Sequence, residues 1–123
     1  MLRLEELEVY QLSEQLADLI WEICSSWEWF AKDTIGKQLV RSADSIGANI
    51  AEGFGRFSFK ENIQFCYYAR GSLLETRHWL RRAKKRKLLT SEYEIALKKI
   101  FQLLSPKLNA YIKTNKQQSQ KEK

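Results

Sequence analysis

The chain predicts an all-α fold, an antiparallel up-down-up-down four-helix bundle, on three observations. Apolar residues recur at helical spacing through four long stretches. The stretches are separated by short polar or glycine-bearing connections. No run alternates apolar and polar residues as a half-buried strand would.

The first helix is expected from about Leu4 to Ser26. Val9, Leu12, Leu16, Leu19 and Ile23 step by 3, 4, 3 and 4, a bundle seam. Tyr10, Ala17, Ile20, Cys24 and Trp27 form a second stripe beside it. Glu5, Glu6 and Glu8 suit the positive end of the helix dipole. A short aromatic connection, Trp27-Glu28-Trp29-Phe30, follows, and Asp33 is the expected N-cap of helix two. That helix turns Leu39, Ala43, Ile46, Ile50 and Phe54 inward. Gly53 and Gly55 mark its exit, where flexibility or a positive φ is often needed. Ser58 stands three residues before Glu61, a capping-box spacing that opens helix three.

Helix three is expected from about Phe59 to Lys87. Phe59, Ile63, Cys66, Ala69, Leu73, Thr76, Leu80 and Ala83 form its seam, with Phe65, Tyr68, Ser72 and Trp79 as a second stripe. Helix four starts after Thr90 or Ser91 and carries Tyr93, Leu97, Ile100, Leu104, Leu108 and Tyr111 inward. Pro106 inside it removes one backbone donor and predicts a bend rather than a break. A single domain over 1–115 and a polar, frayed tail over 116–123 complete the expected organisation.

Composition narrows the function. At 123 residues with 44% hydrophobic residues, the chain is long enough and apolar enough for one globular core. No apolar run reaches membrane-spanning length, and no signal-peptide pattern opens the chain. Cys24 and Cys66 are isolated and share the chain with one histidine, too few ligands for a zinc site. They read as buried thiols in a reducing cytoplasm. No metal site and no cofactor motif is expected. His78, between Arg77 and Trp79, has no recognisable catalytic partner, and Glu52 has no acid partner, so the chain reads as a non-enzyme.

Charge is the strongest functional signal. Residues 1–58 carry 5 Lys+Arg against 10 Asp+Glu, whereas residues 59–123 carry 16 against 5. Arg81-Arg82-Ala83-Lys84-Lys85-Arg86-Lys87 places six cations in seven residues at the C-terminal end of helix three. Two would complement the helix dipole. Six repel one another unless phosphates or carboxylates neutralise them. With Arg77, Lys98, Lys99 and Lys113 nearby, the run reads as a surface for nucleic-acid phosphates, with no base-reading code. The expected interface is Arg77, Arg81, Arg82, Lys84, Lys85, Arg86, Lys87, Lys98 and Lys99.

The stretch Asn49-Ile50-Ala51-Glu52-Gly53-Phe54-Gly55-Arg56 resembles the signature of the bacterial 23S rRNA intervening-sequence protein family. Leu7-Glu8-Val9-Tyr10, Ala69 to Thr76, Leu88-Leu89-Thr90 and Leu108 to Ile112 resemble further family segments in the same order. Ile46-Gly47-Ala48 departs from the pattern, since many members carry a proline there. The family's proteins are small four-helix bundles related to the accessory variability proteins of diversity-generating retroelements. The resemblance implies a ring-like homopentamer and a structural role for Asn49, Ile50, Ala51, Glu52, Gly53, Gly55 and Arg56. The leading expectation is therefore an oligomeric, non-catalytic bundle that binds nucleic acid, in particular structured RNA. The alternative is an interaction scaffold that docks a reverse transcriptase in such a retroelement.

Overall fold

The computed structural model describes residues 1–122 as a four-helix bundle. A 3₁₀ turn at Leu4–Glu6 precedes α1, Glu8–Ser25. α2 is a continuous helical rod over 29–54, built from a first turn at Trp29–Ala31, a π-helical turn at Lys32–Gly36 and the α-helix Lys37–Phe54. α3 spans Phe59–Lys85 and α4 spans Ser91–Lys121. α1 packs on α2 and α4, α2 on α3, and α3 on α4, with the α2–α3 interface the most extensive.

The expected seams form most of the core, but Phe54 and Ile63 are only partly buried and Phe59 is exposed, because the seam ends at the α2–α3 corner where Asn62 takes the buried position. Val9, Leu12, Leu16 and Ile23 of α1 are buried, as are Leu39, Ala43, Ile46 and Ile50 of α2. Cys66, Ala69, Leu73, Thr76, Leu80 and Ala83 of α3 meet Leu97, Leu104 and Leu108 of α4. Leu19 is only partly buried, while Ile20, from the adjacent stripe, is fully buried. On α4 the buried line also takes Phe101, Ile112 and Asn115, leaving Tyr93, Ile100 and Tyr111 at its margin.

Three expectations about helix ends change. Asp33 does not cap α2. The helix is already under way at Trp29, and Asp33 lies inside the π turn, where its carboxylate pairs with Lys37 Nζ at 2.6 Å. The 29–36 segment contains no break because its backbone stays right-handed through Ala31, Lys32 and Gly36. α3 ends at Lys85, and the α4 helix runs on to Lys121, through the stretch expected to fray. It also passes through Pro106 without interruption.

Half of the expected capping box forms, since Ser58 caps α3 but the Glu61 carboxylate takes the Ser58 hydroxyl and not its backbone amide. The Ser58 hydroxyl accepts from the Glu61 amide at 3.1 Å and donates to the Glu61 carboxylate at 3.3 Å. Thr90 caps α4 in the same way, accepting from the Tyr93 amide at 3.1 Å. Each such cap contributes about 1 kcal/mol.

Neither Gly53 nor Gly55 has a positive φ. Gly53 is required by proximity. A Cβ there would stand 2.5 Å from Asn62 Oδ1, 2.9 Å from Phe65 Cβ and 3.1 Å from the Asn62 carbonyl. The absent side chain lets α3 pass against the backbone of α2. Gly55 makes only ordinary contacts and ends the helix, its amide donating to the Ala51 carbonyl at 3.2 Å.

Buried polar groups knit α3 to both α2 and α4. The Thr76 hydroxyl donates to the Ser72 carbonyl at 2.8 Å and shares a hydrogen bond with Ser42 Oγ across the helices at 3.0 Å. Asn62 donates to the Tyr111 hydroxyl at 3.1 Å, and Asn115 donates to Cys66 Sγ at 3.8 Å. Among the described residues, no buried side-chain nitrogen or oxygen lacks a partner. At one end, Trp27 Nε1 donates to the Leu88 carbonyl at 2.9 Å, tying the α1–α2 connection to the α3–α4 connection. At the other, the Phe59 amide donates to the Glu122 carboxylate at 3.3 Å. No described helix is long and apolar enough to cross a membrane.

Two glycines give opposite expectations. Gly53→Ala should destabilise the fold by about 1–3 kcal/mol through overpacking. Gly71→Ala, mid-helix in α3 with nothing within 4 Å of its added Cβ, should stabilise by about 1 kcal/mol through helix propensity. Urea unfolding of the two variants checks both signs.

Candidate nucleic-acid interface

The basic run does not form one continuous patch. Successive helical residues are rotated by about 100°, so seven of them cannot share a face. Arg77, Arg81 and Lys84 fall at i, i+4 and i+7 and turn toward α4, where Lys98 joins them. Together they border a groove of about 440 Å³ with an apolar floor that includes Leu80, Leu97 and Phe101. Arg82 and Lys85 are exposed but do not line it. Lys99, one residue beyond Lys98, is likewise exposed and outside the groove. Arg86 and Lys87 border a second groove, of about 820 Å³, at the end of the bundle beside Trp27 and Phe30. Lys113 lies near the other end of α4, one turn from Asn109, which Arg70 contacts at 3.3 Å.

Arg77 is partly occupied. Its guanidinium lies 4.5 Å from the Phe101 ring centroid and donates to Ser105 Oγ at 2.8 Å. It clasps α3 to α4 while leaving charge at the rim of the groove. Among the described residues, no carboxylate forms an ion pair with Arg81, Arg82, Lys84, Lys85, Arg86, Lys87, Lys98 or Lys99. Glu94 is the acidic residue of the α3–α4 groove. Spacing alone does not single out Glu94 or the exposed Ile95 beside it, because both depend on how α4 rotates against α3. Trp79 is held by its own helix, its indole donating to Glu75 at 3.0 Å, and His78 packs edge-on against it.

The exit of α3 is unusual. Leu88 N donates to the Ala83 carbonyl at 2.9 Å and Lys87 N to the Lys84 carbonyl at 3.0 Å. This pair is a Schellman closure, which needs a left-handed residue next to the end. That residue is Lys87, at φ 61°, where glycine would be unstrained.

The Asn49 to Arg56 stretch is a packing element. Ile50 is in the core and Gly53 admits α3. Asn49 and Glu52 neither reach a neighbouring helix nor cap the end. Both bond within their own chain segment, Asn49 to the Ser45 carbonyl at 2.8 Å and Glu52 to Arg56 at 2.6 Å. Arg56 then lies 4.7 Å from the Phe65 ring centroid, closing the corner between α2 and α3.

With this corner in place, the comparison with known families is decisive. Residues 5–110 match the model of the 23S rRNA-intervening sequence protein. The chain belongs to that family. Among the described residues no three His, Cys, Asp or Glu side chains gather as a metal site. No curated protein shows significant similarity to the chain.

Both cysteines are buried free thiols, and burial pushes each up to about 11 from 9.0. At Cys66, donation from Asn115 partly opposes the rise. The folded chain thus holds thiol protons that the unfolded chain releases above pH 9. Stability should fall as pH rises from about 9 toward 11. Urea midpoints across that range, with thiol labelling at pH 8 that proceeds only on unfolding, check this. Lys87→Gly should raise stability by about 1 kcal/mol by removing the strain of a left-handed side chain, as read by thermal or urea unfolding.

Proposed function

We propose that this protein binds structured RNA through phosphate contacts, with Arg81, Lys84 and Lys98 around the α3–α4 groove as the main site. Arg77 borders it, Arg82, Lys85 and Lys99 widen it, and Arg86 and Lys87 extend it to the end of the bundle. The observation that carries the reading is the lack of ion-pair partners for these cations among the described residues. Unneutralised cations on one helix repel, and a polyanion relieves that repulsion while releasing its own counterions. The 23S rRNA in the family's name points the same way.

The order of helix contacts supports an up-down-up-down antiparallel arrangement of the bundle. The family resemblance supports assembly as a homopentamer. A ring would repeat the cationic groove and add avidity to weak contacts.

A second reading is a scaffold that docks a reverse transcriptase. Exposed Trp21, Trp29 and Phe57 favour it, because large aromatics on a surface suit protein contacts.

Replacing Arg81, Arg82, Lys84 and Lys85 with Gln should weaken RNA binding and flatten its dependence on salt. The slope of log affinity against log salt should fall by about 0.7–0.9 for each phosphate no longer neutralised. Binding titrations at several salt concentrations, with mass by light scattering, read this out. Unchanged affinity and slope would sink the RNA reading and leave the scaffold.

A further inference from the structure

We propose that the groove at the end of the bundle holds one unpaired nucleotide of a bound RNA strand, its base on the Phe30 ring and its phosphate on Arg86 and Lys87. This rests on the RNA-binding reading above and adds a preference to it.

Phe30 is the first reason. It lines the groove yet is 73% exposed, so its ring contributes little to the core. Around it the groove has an apolar floor of Trp27, Ala31 and Ile35. Trp27 is fixed there by its hydrogen bond to the Leu88 carbonyl. A pre-set apolar floor with an exposed ring is a stacking platform, and stacking is indifferent to base identity.

Charge is the second reason. Arg86 and Lys87 line the same groove, and neither has an ion-pair partner among the described residues. Lys87 holds a left-handed backbone where glycine is the unstrained residue. The chain therefore keeps a cation at a position where glycine would be more stable. Glu28 stands in this groove beside the exposed ring, as Glu94 stands in the α3–α4 groove. A carboxylate repels phosphate and accepts from an exocyclic amino group, which only a base supplies.

Size and topology agree. The groove, at about 820 Å³, lies within the range of small-molecule sites. A base paired in the interior of a helix keeps both faces stacked and offers none to Phe30. The α3–α4 groove, by contrast, presents charges that any phosphate backbone satisfies. The two sites thus divide the work between charge and strand state.

The test uses three RNAs of equal stem sequence, each stem closed by a base-free linker in place of a nucleotide loop: a blunt hairpin, the hairpin with a short single-stranded extension, and the hairpin with an abasic extension of the same charge. Fluorescence anisotropy of the full-length protein gives the affinities. The base-bearing extension should bind about tenfold more tightly than the abasic one. Phe30→Ala should abolish that preference and leave blunt-hairpin affinity unchanged, while Phe30→Tyr retains it. Equal affinity for the two extensions, or a preference that survives Phe30→Ala, overturns the inference while blunt-hairpin binding upholds the phosphate site. Failure to bind any of the three overturns both.

Discussion

The close passage of α3 over Gly53 is the constraint on which the rest of the bundle depends. Asn62 and Phe65 occupy the volume a side chain would take, so the two helices are fixed at the corner where they meet. The Thr76–Ser42 hydrogen bond holds the two helices together further along. Asn62 also reaches Tyr111, so the same corner positions α4. The alignment of Arg77, Arg81 and Lys84 against Lys98 is thus a consequence of a glycine far from any of them.

Much of this was legible in the sequence. A helix repeats every 3.6 residues, so the buried lines through the middle of α1, α2 and α3 could be read from spacing, while at the α2–α3 corner Phe54, Phe59 and Ile63 fall short of the core. The residues that departed from the reading did so for geometric reasons. Leu19 and Ile20 lie on adjoining stripes, and which one is central depends on the rotation of α1 against two neighbours. Asp33 carries the side chain of a helix cap, and nothing in composition distinguishes a cap from a wide turn inside a helix. The glycines of Gly53-Phe54-Gly55 announced a junction. Whether a glycine supplies backbone freedom or room for a neighbour is settled only by what lies across from it. The reverse holds at Lys87, where the backbone takes a glycine-like conformation with no glycine to signal it.

The cations show the same division between what spacing reveals and what packing decides. Their number and clustering were plain. Their separation into a lateral groove, an outer face and the end of the bundle follows from helical rotation and from the early end of α3 at Lys85. Arg77 shows why counting charges is insufficient, since its guanidinium is partly engaged by Phe101 and Ser105. A residue of that kind contributes field at the surface and cohesion beneath it. The Asn49 to Arg56 stretch, though the most recognisable part of the chain, holds the corner together through its own internal contacts.

The π turn at Lys32–Gly36 places an extra residue within one turn of α2. It shifts the phase of everything before it relative to everything after it. The segment with Trp29 and Phe30 therefore does not follow the stripe that Leu39, Ala43 and Ile46 present to the core. Substitutions at the tip of the rod can accumulate without disturbing the packing below, and gain or loss of one residue in the turn would swing the tip by about a quarter turn.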